Sequence, residues 1–201
     1  MMLCIDPSQP PMKHLIQQYL LEVLQHNSSA VRLYKKLGFE ITRSFNYFHQ
    51  DAQQVKVNST KLDGLKKVKS IPLQTAQDLG SGDFYASWQN SVCAMERSPE
   101  DFSAIGFTNQ GRLLGSLICD PQTGDITQIL VDPEHPRKEI GTALVYKALQ
   151  VNEHNEVKLI NTDIRDTGLT KFLELLHIPL QGKQYEMIKK FYGQAGRRLY
   201  I

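Results

Sequence analysis

Residues 20–48 constrain the fold more than any other part of the chain. Residues 20–23 form a short apolar run, and His26, Asn27, Ser28 and Ser29 follow it. Asn and Ser are the side chains that cap a helix start, because their oxygens accept bonds from amides that have no partner inside the helix. Ala30, Leu33, Tyr34 and Leu37 then recur at helical spacing, and Gly38 stands where a helix ends in a left-handed turn. From Phe39 the pattern alternates through Ile41 to Phe45, Tyr47 and Phe48, which predicts a second strand. A strand, a helix and a strand follow one another with almost no linker.

The polar stretch 51–65, with Asn58, Ser59, Thr60 and Asp63-Gly64, reads as a connector or a weak edge strand, and a domain boundary is expected there. Beyond it the reading is a strand over 68–73 and a mostly helical stretch over 75–97, broken near 80–82. Strands over 103–107 and 113–119 then flank the turn Asn109-Gln110-Gly111. A strand over 126–131 stops at Asp132-Pro133-Glu134-His135-Pro136, since proline cannot continue a ladder. A helix over 140–150, a strand over 158–163, a helix over 169–176 and a last strand over 184–189 complete the order. An antiparallel meander that turns into a strand–helix–strand crossover implies an α/β (α+β) fold, a mixed central sheet with helices on both faces.

Composition narrows the function classes. Lys and Arg number 23 against 21 Asp and Glu, so no strong field favours nucleic acid, and Lys66, Lys67 and Lys69 read as a solvated stretch. Cys4, Cys93 and Cys119 are widely spaced, with no CxxC pair for a metal, which fits a reduced, cytoplasmic setting. No apolar run approaches the roughly 20 residues of a membrane helix.

Two stretches resemble the Gcn5-related N-acyltransferases. Leu21-Glu22-Val23, Asn27, Ala30, Leu33-Tyr34 and Leu37-Gly38-Phe39 match the closing motif of that family. Ile129-Leu130-Val131-Asp132-Pro133, followed by Ile140-Gly141-Thr142-Ala143-Leu144, is similar to its acyl-CoA motif. The resemblance implies a partial copy of the fold over 1–60, the closing half only, ahead of a complete but degenerate copy over 61–201. Aligning Asn27 with Asp166 sets the repeat offset at 139 (166 − 27), which pairs Tyr34 with Leu173 and Gly38 with His177.

The same resemblance implies an acetyl-CoA-dependent N-acetyltransferase that acts by direct attack of a primary amine, on a small molecule or a peptide. Ile129, Leu130, Val131, Arg137, Lys138, Glu139, Ile140, Gly141, Thr142 and Asp166 are its expected coenzyme A residues, with no metal. A helix start with unpaired amides and a close-approach glycine suits a pyrophosphate on physical grounds alone. Pro136 and Glu139 depart from the family pattern, which has Gln or Arg and Gly at those places. Tyr34 is the phenol expected to return a proton to the leaving thiolate, and Glu134 the carboxylate expected to act as base. Two other readings stay open. One is a non-catalytic binding or regulatory module whose edge strand pairs with a second copy; the other is part of a longer tandem enzyme.

Overall fold

The computed structural model describes residues 18–57, 65–79, 84–135 and 139–190. The chain forms two compact units, residues 1–45 with 182–201 and residues 46–181. This division is one of packing; the boundary expected near residue 60 is the one between the two copies that the resemblance implies.

In the first unit, β1 (Gln18–Leu24) leads through Asn27 into α1 (Ser28–Lys36) and then β2 (Glu40–Asp51), which continues into the second unit. The final strand, β8 (Leu180–Lys190), pairs antiparallel with β1, Val23 opposite Tyr185, and β2 lies on its other side. Asn27 accepts the Ala30 amide, as expected of a cap. Gly38 has φ +87° and its N–H bonds to the Lys35 carbonyl, which closes the helix. Glu186, buried on β8, is held by the Thr42 hydroxyl at 2.8 Å and by Arg43 through Nε at 2.9 Å and Nη2 at 2.5 Å.

In the second unit the strands run in the order β2, β7 (Glu156–Asp163), β6 (Asp125–Val131), β5 (Arg112–Asp120), β4 (Ser103–Asn109) and β3 (Val68–Ser70). Pairs β3–β4, β4–β5 and β5–β6 are antiparallel and β6–β7 is parallel. Alternation along the strands sends side chains to two cores. Ile105, Phe107, Leu117 and Cys119 meet Ile140, Leu144 and Ala148 of α4 (Ile140–Val151), together with Leu173 of α5 (Thr167–Leu175). Ala104 and Ile118 face the other way, onto Ala76 of α2 (Leu73–Gln77) and Met95 of α3 (Val92–Met95). The fold is mixed α/β with helices on both faces, as the pattern implied.

Within the stretch expected to be mostly helical over 75–97, the described residues form two short helices and an irregular segment over 84–90, and the break expected near 80–82 lies outside the described residues. Pro72 starts α2 and Ser91 caps α3, accepting the Ala94 amide. Between them, residues 84–90 spend their polar groups on strands β6 and β7, so propensity yields to tertiary hydrogen bonds.

Two helices, one in each unit, have bounds and caps that match at a 139-residue spacing. Adding 139 to the bounds of α1, 28 and 36, gives 167 and 175, the bounds of α5. Both helices have nine residues. Asp166 accepts the Leu169 amide as Asn27 accepts that of Ala30, and the closing residues Leu37 and Leu176 share φ near −80°. His177 takes the place of Gly38 with φ +60°, a left-handed conformation that a β-carbon penalises.

Candidate active site

Strands β6 and β7 meet once, at Asp125 opposite Lys158, with the Lys158 amide bonded to the Gly124 carbonyl at 2.9 Å. Continued in that register, Thr127 would face Ile160 and Gln128 would face Asn161. Instead the strands part. Asn161 has φ +58°, the left-handed region that Asn tolerates better than other residues with a β-carbon, so β7 turns away at that point. The cleft that opens holds about 660 Å³ including its mouth. Thr127, Ile129 and Leu130 form one wall, Asn161 to Asp163 with Asp166 and Leu169 another, and Phe84 to Ala86 with Asn90 a third.

Polar side chains tie these walls together. Asn90 donates through Nδ2 to the Ile160 carbonyl at 2.9 Å, and its own carbonyl accepts from Gln128 Nε2 at 2.7 Å. Asn161 Nδ2 donates to Gln89 Oε1 at 2.7 Å. Arg165 grips Asp163 in a two-pronged pair, at 2.8 and 2.7 Å, and lies 5.2 Å from the centre of the Phe84 ring. That hydrogen-bonded carboxylate raises the pKa of the guanidinium.

Beyond β6 the chain forms a tight turn around Asp132. Its Oδ1 accepts the Glu134 amide at 2.9 Å, and its Oδ2 contacts His135 Nδ1 at 3.2 Å and Arg112 Nη2 at 2.9 Å. The Glu134 amide, with His135 and Arg112, holds this carboxyl below its ordinary pKa. Glu134 is itself exposed and 3.2 Å from Arg112. Oxygens or nitrogens of Asp132, Glu134 and His135 lie within 4.8 Å of one another, but Arg112 already supplies the cation between the two carboxylates.

Helix α4 starts after Glu139, whose φ is +57° and whose side chain makes no capping bond. Its first amides therefore have no side-chain acceptor from the cap.

Of the residues expected from the sequence, Ile129, Leu130 and Asp166 line the cleft, and Val131 ends the same strand. Glu139, Ile140, Gly141 and Thr142 form the start of α4. Arg137, Lys138 and Pro136 lie outside the described residues. A β-carbon on Gly141 would come within 3.1 Å of the Phe172 ring, so this glycine lets α4 pack against α5. Ile140 is buried, and Asp166 spends one oxygen on capping α5.

Tyr34 belongs to the first unit, where its ring meets Phe39 edge-on at 5.7 Å. Leu173, expected to pair with it at the 139-residue offset, is fully buried in the second unit and has no dissociable proton. The sequence reading missed Gln89, Asn90, Gln128 and Asn161. The available signal was two amide residues, Gln128 beside the apolar run Ile129 to Val131 and Asn161 after Leu159 and Ile160, where a polar side chain in a strand needs a partner.

A mixed sheet with helices on both faces, whose parallel pair β6–β7 parts after a single bridge, is a fold of the N-acetyltransferase class. The chain belongs to the acetyltransferase (GNAT) family, whose model matches residues 70–174, just over half of its length. Among solved structures it resembles a functionally unknown conserved protein from Staphylococcus epidermidis, with TM-score 0.60, 17% identity, and 88% of this chain and 73% of that one covered. It also resembles a GCN5-related N-acetyltransferase from Sphaerobacter thermophilus (TM-score 0.53, 15% identity, 87% and 60% covered). A tandem GNAT protein from the clavulanic acid biosynthesis pathway is similar too (TM-score 0.60, 12% identity, 87% and 64% covered). At these identities the likeness shows the fold, and the chain spans less than two thirds of the last two. No curated protein matches.

Proposed function

We propose that the chain is an acetyl-CoA-dependent N-acetyltransferase whose cofactor lies in the cleft between β6 and β7. The parting of a parallel pair after a single bridge carries this reading, because it exposes edges of two strands to a ligand inside the fold. The donor set fits an acyl carrier of this kind: Ile129 and Leu130 offer apolar surface to its arm, and the uncapped start of α4 offers amides to its phosphates. Arg137 and Lys138, which precede α4 in the sequence, would add positive charge for those phosphates. Bound acetyl-CoA would supply an acetyl thioester open to direct attack by a primary amine of a small molecule or peptide.

Glu134 is the carboxylate we assign to the proton of that amine. It is exposed on the turn that follows β6, and Arg112 lies 3.2 Å from it. The setting we propose is the cytoplasm: Cys93 and Cys119 are free thiols, and among the described residues no helix is long and apolar enough to cross a membrane.

We also propose that residues 1–60 are a partial copy of the fold, its closing half only, and residues 61–201 a complete but degenerate copy, on the matched bounds and caps of α1 and α5. Tyr34 is then the surviving proton donor of the first copy, and Leu173 its loss in the second. That loss favours one alternative, a module that binds the cofactor without turnover and pairs with a second copy through β1, a terminal strand.

Calorimetry with acetyl-CoA, beside a thiol-release assay over a panel of amines, separates these readings. Binding that Leu130→Trp weakens more than tenfold supports the cleft, and thiol release reduced by Glu134→Gln supports turnover. No heat at millimolar acetyl-CoA overturns the proposal, and binding without release supports the module. Size exclusion tests the pairing.

A further inference from the structure

We infer that Asn90 is the strut that holds β6 and β7 apart, and so a positioning residue for whatever occupies the cleft. The register set by Asp125 opposite Lys158 would next join Thr127 to Ile160 and Gln128 to Asn161. Gln89 and Asn90 enter at that level. Asn90 takes the Ile160 carbonyl with its side chain and the Gln128 side chain with its own carbonyl, at 2.9 and 2.7 Å. It thus bridges the two strands where a direct ladder would have closed them. Gln89 holds the Asn161 side chain on the same side, at 2.7 Å.

The strut is itself fixed. Asn90 is buried, with 7% of its surface exposed, and its amide donates to the Ser87 hydroxyl at 3.3 Å. Ser91 Oγ donates to the Trp88 carbonyl at 2.6 Å and caps α3, which anchors the segment from the far side. A carboxamide suits this place because it donates to a strand carbonyl without carrying charge into a half-buried cleft. Aspartate would set a negative oxygen against the Ile160 carbonyl, and alanine would leave that carbonyl unpaired.

The test compares Asn90→Ala with Ser91→Ala, a control that loosens the same segment without touching the bridge. Hydrogen exchange is read over 126–131 and 159–163, and acetyl-CoA affinity by calorimetry. In Asn90→Ala both strand segments are expected to exchange about five- to tenfold faster, the usual effect of one lost buried hydrogen bond, while the control changes only 84–95. Binding should weaken by a similar factor in Asn90→Ala alone; this half rests on the proposed cofactor site. Faster exchange in a protein whose wild type binds no acetyl-CoA sustains the strut and sinks the cofactor reading. Exchange that changes only within 84–95, or equally in both variants, overturns the strut whatever the binding. If Asn90→Ala does not fold, Gln128→Met removes the opposite half of the bridge and is expected to give the same pattern.

Discussion

Replacing Asp125 with asparagine isolates one charge at the closed end of the cleft. Burial, with a smaller push from Asp120, lifts the Asp125 carboxyl from 3.8 to about 6, while Lys158 opposes the rise. Its Oδ1 is buried and makes no hydrogen bond within the described residues. The folded state therefore prefers the protonated acid. The stabilisation this gives is fully present below the unfolded value of 3.8 and is lost as pH rises through about 6. A difference of about two pKa units, at 1.36 kcal/mol each, makes the ionised group cost at most about 3 kcal/mol above that pH. Asparagine keeps the shape and carries no charge, so Asp125→Asn should be more stable than wild type at pH 8 by up to this amount, about 6–12 °C in Tm, with the gap closing towards pH 4. Urea melts across pH 4–8, followed by fluorescence of Trp88, the single tryptophan and a residue of the second unit, measure it directly. Parallel stability curves for the two proteins, or a variant less stable at pH 8, would refute the assignment of an unfavourable buried charge.

Three further outcomes can be checked. His177→Gly should stabilise the protein by about 0.5–1 kcal/mol in a denaturant melt, since glycine adopts φ +60° without the β-carbon penalty. Glu186→Ala should destabilise the first unit by about 3–5 kcal/mol, seen as faster hydrogen exchange in β1 and β8, because Arg43 and Thr42 lose their shared partner; Glu186→Gln, which keeps an acceptor, should cost less. Gly141→Leu should lower stability by about 1–3 kcal/mol in thermal melts even without cofactor, through its clash with Phe172. A loss of ligand in that variant would therefore report packing, which is why Leu130 is the better probe.

What could be read from sequence is what local chemistry decides. Asn27 caps a helix because an Asn oxygen reaches the amide three residues on, and Gly38 ends that helix because glycine is at ease in a left-handed turn. Alternation marked the strands, and the proline-bounded turn after Val131 marked the end of β6, so the order of elements and the mixed α/β class were legible before any coordinates. The irregular course of 84–90 was not, since its polar residues are committed to strands that lie 38 to 72 positions later in the chain. Nor was the parting of β6 from β7, which depends on where Asn161 adopts φ +58° and on Asn90 filling the gap. Burial turned Gly141 into a packing contact and Leu173 into core, roles that no spacing distinguishes from a cofactor glycine or a lost tyrosine. Sequence alone set the elements and their caps, because those bonds close within a few residues. Only the tertiary structure decided which strands separate and what holds them apart, because those bonds join residues that the chain brings together only by folding.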